Sequence, residues 1–171
     1  MFFSCQILLS IIFWGCPFIV RKSPKKSLFQ GDNDKLQMAY HTVLMYSKNT
    51  SAKILVTDEN ENFLRENWLD LFAGGHLTSF THETNEELLF RIFSLVTKEN
   101  DIILDAFLGS GTGCAVAHKM KRRWIGIERG EQIYNHAYPR LKKIIDGKDF
   151  EGITEKVGWQ SGGSFTFLET I

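Results

Sequence analysis

The clearest pattern along the chain is a pair of short apolar runs separated by a glycine-rich turn and a segment of helical composition. The first run, residues 102–104, is too short for a helix and precedes Asp105, which is typical of a buried strand. Residues 112–122 have the composition of a helix, and the second apolar run, residues 124–128, ends in a carboxylate. This order predicts a strand, a crossover helix and a neighbouring parallel strand.

Helical spacing of apolar residues predicts two further helices. In residues 84–96, Thr84 is the expected N-cap and Glu87 its capping-box partner. Residues 132–145 carry apolar side chains on one helical face, and Pro139 is expected to kink this helix or to start it anew. Both segments flank the strand pair and supply helices to cover it.

Two other segments are predicted to be strands. Residues 39–46 are rich in β-branched and aromatic side chains, and residues 157–168 follow a glycine turn as an expected closing strand. Strands interspersed with helices predict an α/β fold.

The glycines between the first strand and its helix predict a nucleotide-type ligand. Glu128 lies 19 positions after Gly109, close to the roughly 20 that bring an acidic residue to the tip of the next parallel strand. There a carboxylate can accept hydrogen bonds from ribose hydroxyls. The pattern predicts an adenosine-type ligand at this sheet edge, and a tight turn that binds nothing is the alternative.

The spacing of the glycines argues against a dinucleotide. The nicotinamide fingerprint Gly-x-Gly-x-x-Gly/Ala needs a third small residue where this chain has Cys114. A nicotinamide-dependent oxidoreductase is therefore disfavoured. Cys114 stands at a helix start, where the helix dipole would lower a thiol pKa and make it reactive; packing against the strand is the favoured alternative.

The order Asp-x-Phe-x-Gly-x-Gly at residues 105–111 resembles the cofactor motif of S-adenosylmethionine-dependent DNA amino-methyltransferases. The resemblance implies that Phe107 packs on the ligand, that the glycines permit close backbone approach and that Glu128 holds the ribose. The predicted cofactor contacts are Asp105, Phe107, Gly109, Gly111, Thr112 and Glu128.

Composition sets limits on the remaining classes. The chain has 171 residues, 43% hydrophobic and 13% aromatic, which excludes general disorder and fits one domain. Its formal net charge is zero, so any contact with nucleic acid must be local. The three cysteines have no metal-ligand spacing. They predict reduced thiols in a cytoplasmic protein without a metal.

The N-terminal segment has a composition of its own. The apolar run of residues 7–20 is shorter than the roughly 18 residues of a membrane span, and Gly15 and Pro17 interrupt it. A core segment is the favoured interpretation and a membrane anchor the alternative. The basic cluster of residues 21–26 follows as a solvated linker or, alternatively, as a contact to phosphates.

Several segments together resemble the C-terminal half of the Mod methyltransferase subunit of type III restriction-modification systems. The similarity extends from about Tyr40 to the end of the chain, and residues 1–38 are expected to lie outside the family. It rests on residues 40–49, 115–120, 125–128, 159–160 and 162–165. The resemblance implies a partial Rossmann-like methyltransferase fold with an incomplete sheet.

The same resemblance implies adenine N6 methylation of duplex DNA with the target base flipped out of the stack. In this permuted class, the catalytic Asp-Pro-Pro-Tyr motif precedes the cofactor motif. This chain has no Pro-Pro, and the helix lead-in has Thr-Asn-Glu at 84–86 where the family has Lys-Pro-Glu. We therefore expect a fragment that keeps the cofactor half, has no catalytic residue and leaves an exposed sheet edge.

Two roles remain open for such a fragment. The first is a methyltransferase subunit or remnant that binds S-adenosylmethionine. The second is a non-catalytic module that pairs with a separately encoded N-terminal half or with a restriction subunit. The five histidines are scattered along the chain, so surface or core positions are favoured over a general base.

Overall fold

The computed structural model describes the backbone of three short strands at residues 11–13, 21–22 and 43–44, the single positions 57, 58, 61 and 71, and the continuous chain from 83 to 169. The strands are β1 (Ile11–Phe13), β2 (Arg21–Lys22), β3 (Val43–Leu44), β4 (Ile102–Asp105) and β5 (Arg123–Gly126). The helices are α1 (Glu86–Val96), α2 (Thr112–Lys119) and α3 (Tyr138–Ile145), the last preceded by a π-helical turn, Ile133–Ala137.

The main sheet has the order β1-β4-β5. Strands β4 and β5 are parallel, with Ile103 opposite Trp124, and α2 connects them, as the sequence predicts. Strand β1 pairs with β4 in the antiparallel sense, so part of the N-terminal apolar run is in the sheet. In the described part of the chain, β4 thus has a neighbour on each side, and β1 and β5 are the two edge strands of this sheet.

A second pair of strands joins the basic segment to the predicted strand at residues 39–46. Here β2 pairs with β3, so Arg21 and Lys22 belong to a strand rather than to a linker. The prediction for residues 39–46 is confirmed at Val43–Leu44, and its other positions lie outside the described residues.

Helix α1 begins one residue later than the capping-box pattern predicts. Asn85, not Thr84, is the N-cap, because its side-chain oxygen accepts a hydrogen bond from the Glu87 N–H at 2.8 Å. At the other end the Thr97 hydroxyl donates to the Phe93 carbonyl at 2.6 Å. The apolar face packs against β4 and α2.

Helix α2 is buried along almost its whole length. Its small side chains, among them Cys114, Ala115 and Ala117, are fully inaccessible and let the helix lie close to the sheet. The helix was predicted to reach residue 122 but ends at Lys119, because Lys121 adopts a left-handed conformation with φ of 59°.

The C-terminal helix is interrupted where Pro139 predicts. The π-helical turn ends at Ala137, and Pro139 lies in the first turn of α3, where its missing N–H has no partner to lose. Ala137, Leu141 and Ile144 form the buried face.

The prediction of a closing strand at residues 157–168 is wrong. Gly162 and Gly163 have φ of 110° and 78°, which breaks an extended path. We call residues 159–169 the C-terminal strap. The strap lies along the end of α3: the Gly162 N–H donates to the Ile145 carbonyl at 2.9 Å and the Trp159 indole donates to the Ile144 carbonyl at 3.1 Å.

Two groups of buried apolar side chains form the core. One lies between α1, β4 and α2 and consists of Leu89, Ile92, Phe93, Leu95, Val96, Ile103, Val116, Ala117, Met120 and Ile153. The other lies between α2, α3 and the turn after β4 and consists of Leu108, Cys114, Ala115, Ala137, Leu141 and Ile144. Trp124 on β5 packs against both groups. In the described ranges, no helix combines the length and the hydropathy that a membrane crossing requires.

Candidate functional site

The turn between β4 and α2 is held by two carboxylates from the ends of neighbouring strands. Asp105, at the end of β4, accepts the Phe107 N–H at 3.2 Å. Glu128, just after β5, accepts the Gly109 N–H at 2.8 Å. Its other oxygen accepts the N–H groups of Arg129 and Gly130 at 2.8 and 2.9 Å. The acidic residue predicted from the 19-position spacing therefore lies directly against the turn.

Each glycine of the turn meets a specific steric demand. Gly109 and Gly111 have φ of 53° and 82°, which favours glycine. A Cβ on Gly111 would lie 3.0 Å from the Cα of Ala137, and a Cβ on Gly113 would overlap the Asp105 carboxylate. The glycines thus let two elements pack directly on the start of α2.

The close approach between helix and strand is achieved by Gly126 of β5 rather than by a small residue at position 114. A Cβ on Gly126 would lie 2.9 Å from the Cys114 sulfur and 3.0 Å from the Leu108 methyl groups. Cys114 is fully buried, and burial, with the charge of Asp105, raises the pKa of its thiol well above the ordinary value. The alternative of a reactive Cys114 is therefore wrong, and the packing role is confirmed.

Asp105 is an ionisable group in an apolar setting. Burial is the main cause that raises its pKa to about 6; the Phe107 N–H opposes this shift and the nearby Glu128 charge adds to it. The folded state therefore holds the Asp105 proton more tightly than the unfolded chain does. As a result, Asp105 stabilises the fold fully only below its unfolded pKa, and this stabilisation is lost as the pH rises through about 6.

This shift predicts a pH-dependent stability difference between the protein and its Asp105→Asn variant. Between pH 5 and pH 7.5 the parent protein should lose about 1 kcal/mol more of its free energy of unfolding than the variant, because asparagine has no proton to release. Urea unfolding of both proteins at the two pH values measures this difference. Parallel pH profiles would show that Asp105 has an ordinary pKa.

The six predicted cofactor contacts differ in their surroundings. Asp105, Gly109, Gly111 and Glu128 lie around one turn, and Phe107 at its outer side is 59% exposed. The Thr112 side chain is buried and already engaged, since its hydroxyl contacts the Ser110 hydroxyl at 2.9 Å and accepts from Arg140 at the same distance. The roles of these six residues in binding stay predictions.

A buried ion network, which the sequence pattern did not reveal, lies behind the turn. Its members are Glu83, Glu86, Lys119, Arg140 and Asp149. The Glu86 carboxylate accepts from Lys119 at 2.9 Å, from Arg140 at 2.7 Å and from the Ile153 N–H at 3.0 Å. The sequence contains one indication of this network, because Glu86 and Arg140 each lie on the apolar face of a helix, where a charge needs buried partners.

His118 has a structural role. The Trp124 indole donates to Nδ1 of His118 at 3.2 Å, so Nε2 carries the proton and donates to the Gly162 carbonyl at 2.9 Å. His118 thereby joins α2, β5 and the C-terminal strap, as expected of a core histidine. Within residues 83–169 and the other described positions, no group of His, Cys, Asp and Glu side chains could hold a metal ion.

Comparison with known families agrees with this geometry. The family model N6_N4_Mtase, described as DNA methylase, matches residues 3–139. The chain belongs to this family of DNA methylases. The matched range includes residues on both sides of position 38. The division of the methylase chain at residue 38 stays a prediction.

Three curated relatives of the methylase chain are a type III restriction-modification Mod subunit and two type II methyltransferases. The probable type III restriction-modification enzyme HindVI Mod subunit of Haemophilus influenzae is 50% identical over 96 residues, 56% of this chain and 13% of that protein. Type II methyltransferase M.BamHI of Bacillus amyloliquefaciens is 41% identical over 39% of this chain and 16% of its own length. M2.LlaDCHI of Lactococcus lactis subsp. cremoris is 31% identical over 71% and 43%. The chain thus spans less than half of each relative.

A solved structure shares the fold of the methylase chain. The M1.HpyAVI–SAM complex superposes with a TM-score of 0.51 at 29% identity, covering 63% of this chain and 52% of that one. The Rossmann-like α/β prediction is therefore confirmed, with a small sheet in the described residues. The resemblance to type III Mod subunits is confirmed by the Haemophilus relative.

Proposed function

We propose that this chain is the cofactor-binding part of a DNA adenine N6-methyltransferase of a restriction-modification system and that it binds S-adenosylmethionine at the turn between β4 and α2. The hydrogen bond from Gly109 to Glu128 carries this proposal, because it puts a carboxylate of the second strand beside the glycine turn of the first. Family membership and the relative solved with SAM support it.

The residues of the turn fit an adenosyl ligand. The Glu128 carboxylate is half-buried, and oxygen Oε2 has a single backbone donor in the structure, so ribose hydroxyls can donate to it. Phe107 offers an exposed ring on the same turn, against which an adenine or the rest of the ligand can pack. When bound, the cofactor supplies an activated methyl group. The residues of this chain hold and orient it.

Substitution of Glu128 tests the binding proposal. We expect the intact chain to bind S-adenosylmethionine in titration calorimetry and Glu128→Gln to raise Kd by about tenfold, because a hydrogen bond to a charged group contributes about 1.5 kcal/mol or more. Glu131→Gln, an exposed neighbour, is the matched control and should leave Kd unchanged. A preference for NADH, or equal affinity of the Glu128 variant, would contradict the proposal.

Catalysis by this part alone is not expected. Methyl transfer needs the target amine held in line with the donor, and no segment of the sequence matches the Asp-Pro-Pro-Tyr loop that would do so. We expect no tritiated methyl transfer to DNA by the purified chain above the level of a Gly109→Asp control. Transfer above that level would reveal a catalytic motif of a different kind.

A non-catalytic pairing module is the second candidate, and the edge strand β5 favours it. Ile125 and Ile127, on β5 and just beyond it, are 51% and 54% exposed. A strand edge with exposed apolar side chains is suited to cover by another chain. The partner would be a separately encoded N-terminal half or a restriction subunit. An upstream reading frame that encodes Asp-Pro-Pro-Tyr, whose product co-purifies with this chain, would support this role.

A further inference from the structure

The segment that follows β5 returns to the glycine turn and touches it at three successive places. Glu128 accepts the Gly109 N–H. Ala137 packs on Gly111 so closely that a Cβ there would lie 3.0 Å from its Cα. Arg140 donates to the hydroxyl of Thr112, the first residue of α2. The first of these contacts lies at the proposed ribose site, and the third links Arg140 to the start of α2.

The Arg140 guanidinium is held as a rigid fork. Nη1 donates to Glu83 at 2.5 Å and to the Thr112 hydroxyl at 2.9 Å, while Nη2 donates to Glu86 at 2.7 Å. The Arg140 side chain is only 6% exposed, and the two carboxylates are buried as well. Since guanidinium is planar, fixing it at two carboxylates also fixes where it meets Thr112.

We propose that Arg140 is a positioning residue for the cofactor site. It ties the Thr112 hydroxyl, and with it the first turn of α2, to the segment that precedes and begins α1. The backbone N–H groups at the start of a helix have no acceptor within the helix, so their orientation toward a ligand depends on how the helix start is held. This inference rests on the proposed binding of S-adenosylmethionine at the turn.

A purely structural role for Arg140 makes a different prediction, and Lys119 distinguishes the two. Lys119 donates to the same Glu86 carboxylate and contacts Asp149, but it lies at the opposite end of α2 from Thr112. Loss of either cation removes one counter-charge from the buried carboxylates and should cost stability. Only loss of Arg140 removes the hold on the cofactor turn.

The experiment measures S-adenosylmethionine binding by calorimetry and urea unfolding for the intact chain and for Arg140→Met, Lys119→Met, Thr112→Val and the double variant Thr112→Val/Arg140→Met. We expect both cation variants to unfold at lower urea. Kd should rise about tenfold for Arg140→Met and Thr112→Val and stay within about twofold for Lys119→Met. The double variant should bind no more weakly than Arg140→Met.

Each outcome decides between the proposals. If the intact chain does not bind S-adenosylmethionine, the proposed function fails. If the intact chain binds but Arg140→Met and Lys119→Met have the same Kd, the positioning role is overturned and the function stands. Additive losses in the double variant would mean that Thr112 acts on the cofactor independently of Arg140, which also overturns it. If Arg140→Met does not fold, Thr112→Val decides alone, and an unchanged Kd for this variant overturns the inference.

Discussion

Replacement of Glu86 by glutamine should lower the free energy of unfolding by about 3 to 5 kcal/mol, because it removes the counter-charge that two buried cations share. Glu86 is 3% exposed and is the common partner of Lys119, Arg140 and the Ile153 N–H. The glutamine side chain would keep one oxygen as an acceptor but would place its NH2 group, a donor, against these donors. A loss of this size is a large fraction of the total stability of a small domain.

The matched control is one residue further along the same helix. Glu87 pairs with Lys156 at 2.7 Å and with Arg91 at 3.0 Å, but the Lys156 side chain is 45% exposed. Pairs in contact with water contribute about 1 kcal/mol or less, so Glu87→Gln should change the unfolding midpoint little. Urea unfolding of the two variants measures the difference, and equal losses would show that Glu86 is not the centre of the network.

Replacement of Gly111 by alanine should cost about 2 to 5 kcal/mol and weaken binding at the cofactor turn. The left-handed φ of 82° adds about 1 to 2 kcal/mol for any residue with a Cβ. The added methyl group would also meet the backbone and Cβ of Ala137 at 3.0 to 3.1 Å, and such overpacking costs about 1 to 3 kcal/mol. Since backbone atoms cannot rotate away, the glycine turn and the π-helical turn that ends at Ala137 must shift apart.

Gly158→Ala separates the two causes. Gly158 has a similar φ of 63°, but an added Cβ would meet nothing within 4 Å. Its substitution should therefore cost about 1 to 2 kcal/mol from the backbone alone, and S-adenosylmethionine binding should not change. Thermal unfolding and calorimetry of both variants provide the comparison. If the two glycine variants lose equal stability, the contact with Ala137 is not a constraint.

Local pattern was sufficient for several features that depend on residues close together in sequence. The short apolar run before a glycine turn identified β4, and the interruption at Pro139 followed from a missing N–H. Where the backbone had two locally acceptable paths, the prediction failed. Thr84 and Asn85 can both cap a helix, and the hydrogen bond to Glu87 formed from Asn85.

The C-terminal strap shows why composition alone can mislead. Its alternation of aromatic and small residues is typical of a strand, yet its aromatic rings pack on other aromatic side chains. The Phe165 ring centroid lies 5.8 Å from that of Trp124 and 5.5 Å from that of Tyr138. These ring contacts and the bond from Gly162 to Ile145 hold the strap without strand pairing. Long-range contacts of this kind leave no periodic signal in the sequence.

The βαβ unit, the glycine turn and the acidic residue after the next strand could be predicted from the sequence, because strand length, turn chemistry and the 19-position spacing are local properties of the chain. The folded arrangement was needed to show that Gly126 makes the close helix contact, that Cys114 is inert, and that Arg140 meets Thr112. The physical reason is that burial and ion pairing depend on which surfaces come together, and Arg140 and Glu86 are 54 positions apart.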